Sequence, residues 1–103
     1  MVLLLSEWEK YINMLSLEKK SITAEQLRAG RALVRWSAKT LADNAGVGVA
    51  TVRRCEAETG PVSATQANKS AMRAALELAG VVFIEENGGG SGVRLANPLR
   101  ADD

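Results

Sequence analysis

The sequence contains no histidine and a single cysteine, Cys55. A disulfide framework is thereby excluded, as is a zinc site built from Cys and His. Every Ser-His or Cys-His nucleophile pair is missing too. Aromatics are scarce: Trp8, Tyr11, Trp36 and Phe83 are all there are. Four are too few for an aromatic-rich β-sandwich or for a platform on which bases stack. No apolar run approaches the roughly 20 residues of a membrane span. The apolar stretch Met1–Leu5, followed by Glu7 and Glu9, is too short for a signal-peptide core. The expectation is a cytoplasmic protein with no membrane partner. No motif places a pair of carboxylates, so no catalytic constellation assembles, and neither an enzyme nor a cofactor is expected.

What is present suits one small helical domain. The chain has 103 residues, 47% hydrophobic and 24% charged, enough for a single core of modest size. Ala and Leu are abundant, and both favour helix. The net charge of +1 divides unevenly, with −2 over residues 1–18, +6 over 19–54 and −3 over 55–103. A basic third inside a neutral chain is what a nucleic-acid footprint needs.

Periodicity divides the chain further. Leu4, Trp8, Ile12 and Leu15 form one helical stripe, so residues 1–20 read as an amphipathic helix or extension. Thr23 and Gln26 make a capping box, opening a helix to about Arg35 with Leu27, Ala32, Leu33 and Trp36 inward. Gly30 inside it costs about 1 kcal/mol relative to Ala unless close packing requires it. Ser37 caps a second helix, Ala38 to Asn44 or Ala45, with Leu41 and Ala42 inward and Gly46 ending it. A third runs from about Val49 to Ala57. After the loop Glu58–Val62, Ser63 caps a fourth, Ala64–Ala79, with Ala67, Ala71, Ala74 or Ala75, and Leu78 as its stripe. Then the period changes to that of a β-hairpin, Val81–Ile84 and Val93–Leu95, within residues 81–96. Residues 97–103 read as a flexible tail. The run Gly88–Gly92 has no Gly-Lys-Ser/Thr and opens no helix, so it reads as a turn and not a phosphate loop.

The segment Ser37–Glu56 carries the main signal. Two short helices joined by a tight Gly-Val turn form a unit that lays its second helix in the DNA major groove. Ala42 is small where the helices cross, Gly46 permits the turn, and Val47 and Val52 fill the space between them. The start of the second helix, from Gly48, points Val49, Ala50 and Thr51 outward at base edges. Arg53 and Arg54 follow as long cations for phosphate or guanine, and Lys39 is a further phosphate contact. Ser37 belongs to the same surface. Lys69 is open to either a contact or a solvated role. Arg28, Arg31 and Arg35 share a face on which some must be solvated or paired with Glu25. Cys55 reads as a small apolar filler, and Glu56 as an anchor for a neighbouring helix or arginine.

Here the sequence resembles the Xre (lambda-repressor-like) helix-turn-helix family. The likeness is carried by Leu27-Arg28, Arg31, Ser37, Leu41-Ala42, Gly46-Val47, Thr51-Val52, Arg53-Arg54 and Glu56, within about residues 23–80. The ending Gly80–Leu95 is similar to that of a bacterial subgroup of small regulators in this family. The resemblance implies a mainly α fold, a compact bundle of four to five helices with a short C-terminal β-hairpin, and a helix-turn-helix domain over residues 21–80. It implies a transcriptional regulator, most simply a repressor, that binds double-stranded DNA as a homodimer at the nucleoid. Three positions depart from the family pattern: Ala38 for a polar residue, Gly48 for a Ser or Thr cap, and Val49 for a polar base reader. They shift the expectation from sequence-specific toward phosphate-dominated binding. They also leave room for an alternative, an antitoxin-like or adaptor module that grips a protein partner. For the dimer, the strands and the stripe of residues 4–15 are the two surfaces available, and an open hairpin edge favours the strands.

Overall fold

A computed structural model describes residues 22–97 of the chain. The helix expected over residues 1–20, and the tail beyond Asn97, lie outside the described residues. Four helices and one hairpin follow in chain order: α1 (Ala24–Val34), α2 (Ala38–Ala45), α3 (Val49–Glu56), α4 (Gln66–Leu78), β1 (Val81–Ile84) and β2 (Gly92–Leu95). This is the mainly helical bundle with a small antiparallel hairpin that the sequence pattern implies. Its core gathers Ile22, Leu27, Leu41, Val52, Cys55, Met72 and Leu76, all fully buried, with Val81 and Phe83 beside them.

Helix α1 starts as its capping box requires. Thr23 Oγ1 accepts from the Gln26 amide at 3.0 Å, and Gln26 Oε1 accepts from the Thr23 amide at 3.0 Å. Gln26 does more than cap. Its Nε2 donates to the carbonyls of Ile84 (3.1 Å) and Gly92 (3.0 Å), tying the helix start to the far end of the hairpin. The side chain is buried, so these bonds satisfy a polar group that would otherwise be costly to desolvate. At its other end α1 stops with Arg35 in the left-handed region, at φ 59°.

The buried face of α1 differs from the expected one. Leu27 is inward, but the face turned to the core carries Ala24, Gln26, Leu27 and Gly30. Ala32 and Leu33 are exposed, and Trp36 is half-buried. Gly30 explains the choice. A Cβ there would lie 3.2 Å from Leu76 Cδ1 and 3.6 Å from Val81 Cγ1. A residue without a side chain lets α4 and β1 approach this face most closely, and Leu33, about 60° around the helix, stays at its exposed edge.

Helix α4 also begins later than expected. Thr65 is its N-cap, accepting from the Asn68 amide at 3.1 Å. Ser63 is taken by Glu58 instead, whose Oε1 accepts from both the Ser63 amide (3.0 Å) and its hydroxyl (2.8 Å). The buried stripe is Met72, Ala75 and Leu76, while Ala67, Ala74 and Leu78 are exposed. Met and Leu side chains bury more apolar area than alanines, so they decide which face turns inward.

The hairpin pairs Val81 with Leu95, Val82 with Arg94, Phe83 with Val93 and Ile84 with Gly92. It folds back on the bundle, β2 against α1 and β1 against both α1 and α4. Phe83 is buried there, with the Arg73 guanidinium 4.7 Å from its ring centroid. That guanidinium also bonds Glu77 and Glu85. Val81 and Phe83 are thus spent on this chain's own core, while Val82 and Ile84 are half-buried. In the connecting loop, Glu86 accepts from the amides of Gly90 (2.9 Å) and Gly88 (2.8 Å), both glycines at positive φ. These bonds hold the Glu86 carboxyl below its ordinary range. The run connects the two paired strands and is the turn of the hairpin.

Candidate nucleic-acid interface

Ser37 Oγ accepts from the Thr40 amide at 3.0 Å and so starts α2. The helix ends at Gly46, with φ 71° and open space where a Cβ would stand. The turn needs a residue that takes the left-handed conformation without strain, and glycine is that residue. Val47 then packs half-buried against the core, and Gly48 opens α3 with no side-chain cap. Only the Gly48 carbonyl serves the first turn, accepting from Thr51 (3.0 Å) and Val52 (3.2 Å). The first two amides of a helix have no intrahelical acceptor. With no capping side chain to cover them, Val49 and Ala50 present theirs to whatever lies ahead of the helix.

Along α3 the side chains sort by face. Val52 and Cys55 are fully buried, and Glu56 is nearly so. Ala50, Arg53 and Arg54 are exposed, and Thr51 is half-buried. Val49 does not point wholly outward as expected, because it packs partly against the core. Lys39 stands exposed on α2, its Nζ 3.1 Å from both carboxylate oxygens of Asp43. Lys69 is half-buried on α4.

The inner face of α3 is bolted to α1. Arg31 donates through Nε and Nη2 to the two Glu56 oxygens at 2.6 and 2.7 Å, and through Nη1 to the Trp36 carbonyl at 2.8 Å. Arg28 Nη1 adds a bond to the Glu56 carbonyl. The hydrogen bonds to Glu56 raise the Arg31 pKa above its ordinary value. Arg28 also lies 3.8 Å from Glu25. Glu25 accepts from the Gly60 amide as well, and its carboxyl is held below the usual range, chiefly by backbone hydrogen bonds. Burial pushes the Cys55 thiol up, which fits a core filler and not a nucleophile.

This bolting leaves a sorted set of cations. Arg28, Arg31, Lys39 and Arg73 each have a carboxylate within 4 Å. Among the described residues, Arg35, Arg53, Arg54, Lys69 and Arg94 have none, and of these Arg53 and Arg54 stand side by side, exposed, on one helix. The structure therefore brings Gly48, Ala50, Arg53 and Arg54 together on one exposed face of α3, with Thr51 at its margin. Ser37 and Lys39 are on α2, where Ser37 serves chiefly as a cap. No three His, Cys, Asp or Glu side chains among the described residues converge to hold a metal. Among them, too, no helix is long and apolar enough to cross a membrane. Comparison with known families finds no matching family model, and comparison with curated proteins finds no matching sequence.

Proposed function

We propose that this chain binds duplex DNA as a small transcriptional regulator, with α3 in the major groove and α2 across the backbone. The observation that carries the reading is the pairing pattern. Carboxylates neutralise the arginines that hold the bundle together, while Arg53 and Arg54 on the outer face of α3 keep their charge available. An exposed, uncompensated cation pair on the second helix of a helix-turn-helix is suited to phosphate oxygens.

The rest of that face is small and apolar. Ala50 offers contact to a thymine methyl but no bidentate hydrogen bond, so affinity rests mainly on phosphate. A single unit of this size gives few contacts. Two copies on half-sites about 34 Å apart give the affinity an operator needs, so the acting form is a homodimer. Its place of action is the cytoplasm, at the nucleoid, and repression follows from occupying a promoter.

The test is a gel shift against mixed duplexes at two salt concentrations. The expected outcome is binding at low salt that weakens steeply as salt rises. Failure to bind any duplex at low salt, with the fold intact, would discard this reading in favour of a protein-interaction module.

A further inference from the structure

Among the described residues, the backbone takes positive φ at Gly46, Gly60, Gly80, Gly88 and Gly90, and at one residue that is not glycine, Arg35. Arg35 stands at φ 59° and ψ 38°, at the end of α1. A Cβ makes this conformation costly, which is why glycine is the usual residue where a helix ends in it. The surroundings fix the backbone here. The Arg35 amide donates to the Ala32 carbonyl at 3.2 Å and the Trp36 amide to the Arg31 carbonyl at 2.9 Å, and together they close the helix. Trp36 then packs half-buried against the core. A strained position thus carries a long cation. Its side chain is exposed, with no carboxylate within 4 Å among the described residues.

Residues held in sparsely populated backbone regions cluster where a protein meets its ligand. The place of Arg35 in the fold says which ligand. Arg31 donates to the Trp36 carbonyl and to both Glu56 oxygens, so one guanidinium ties the corner between α1 and α2 to the C-terminal end of α3. Ser37, two residues on, starts α2. The one cation on α2 itself, Lys39, is engaged by Asp43. We propose that Arg35 is a phosphate contact of the DNA complex, kept at a position where glycine would make the bundle more stable. This rests on the DNA-binding reading and adds to Arg53 and Arg54 a contact from the loop ahead of α2. The competing role is local, because a cation at the end of α1 also faces the negative end of the helix dipole. That role stabilises the chain without DNA and leaves DNA affinity untouched.

The test measures Tm without DNA and affinity for mixed duplexes over a series of salt concentrations, in the parent, Arg35→Gly and Arg35→Lys. Arg35→Gly should melt a few degrees higher, because glycine takes the left-handed conformation without strain. It should also bind DNA several-fold more weakly at low salt, with the slope of log K against log[salt] shallower by about one per bound chain. Arg35→Lys keeps both the charge and the strain, so it should keep the parent's Tm and slope. A lower Tm for Arg35→Gly overturns the proposal by assigning the side chain to the bundle's own stability. Parental affinity and slope in Arg35→Gly also overturn it. If Arg53→Ala and Arg54→Ala lose affinity in that same assay, the DNA-binding reading stands and only the assignment of Arg35 falls. A parent that binds no duplex removes both.

Discussion

Arg31 holds three acceptors at once, two oxygens of Glu56 and the carbonyl of Trp36. Removing it strands a nearly buried carboxylate beside the core. Such a loss costs about 3–5 kcal/mol for a fully buried pair, and somewhat less here because Arg31 is partly exposed. Arg31→Met should therefore cost about 2–3 kcal/mol, read as a fall in Tm of roughly 10 °C or more. A variant that melts with the parent would show that the pair contributes nothing. Gly30 is the second residue whose environment decides its identity. Alanine gains about 1 kcal/mol of helix propensity, but overpacking costs about 1–3 kcal/mol. Leu76 and Val81 are buried and have little room to give, so Gly30→Ala should lower stability by about 1 kcal/mol. A higher Tm would mean that Leu76 moves freely. The sequence anticipated Glu56 as an anchor and flagged Gly30 as costly unless packed, yet neither partner could be named. Those partners lie 25 and 46 positions away, beyond the reach of periodicity. Gln26 shows the same limit, since its cap is local and legible while its grip on Ile84 and Gly92 is neither.

At the scale of elements, the α2–α3 unit was the most legible part. Each of its signals is local: a Ser cap, a glycine at positive φ, and a valine on either side of the turn. Helix α4 was harder, because Ser63 and Thr65 are equally good caps in isolation and Glu58 decides between them through a loop contact. The inward face of α1 was misjudged because Leu33 is the larger residue, yet Gly30 is where neighbours come closest. Val49 belongs at this scale, since it is half-buried in the first turn of the helix that the proposed function places in the groove. Val49→Gln should alter base preference in a selection on random duplexes, because glutamine can address adenine. It should also cost about 1 kcal/mol through lost apolar contact. An unchanged preference with a large fall in Tm would make the position purely structural.

Among the described residues, the cations divide into paired and unpaired groups. Arg31 is matched to Glu56, Arg28 to Glu25, and Arg73 to Glu77 and Glu85. On the proposed reading, the exposed pair on α3 is the part that meets a polyanion. That division was visible in outline as the basic stretch 19–54, but which of its cations are free depends on tertiary pairing. The decisive measurement is the dependence of DNA affinity on salt, comparing the parent with Arg53→Ala, Arg54→Ala and the double variant. If both arginines contact phosphate, each single change lowers affinity and makes the slope of log K against log[salt] shallower by about one, and the double variant by about two. If all three variants bind every duplex with the parent's affinity and slope, α3 does not face DNA and the functional account fails.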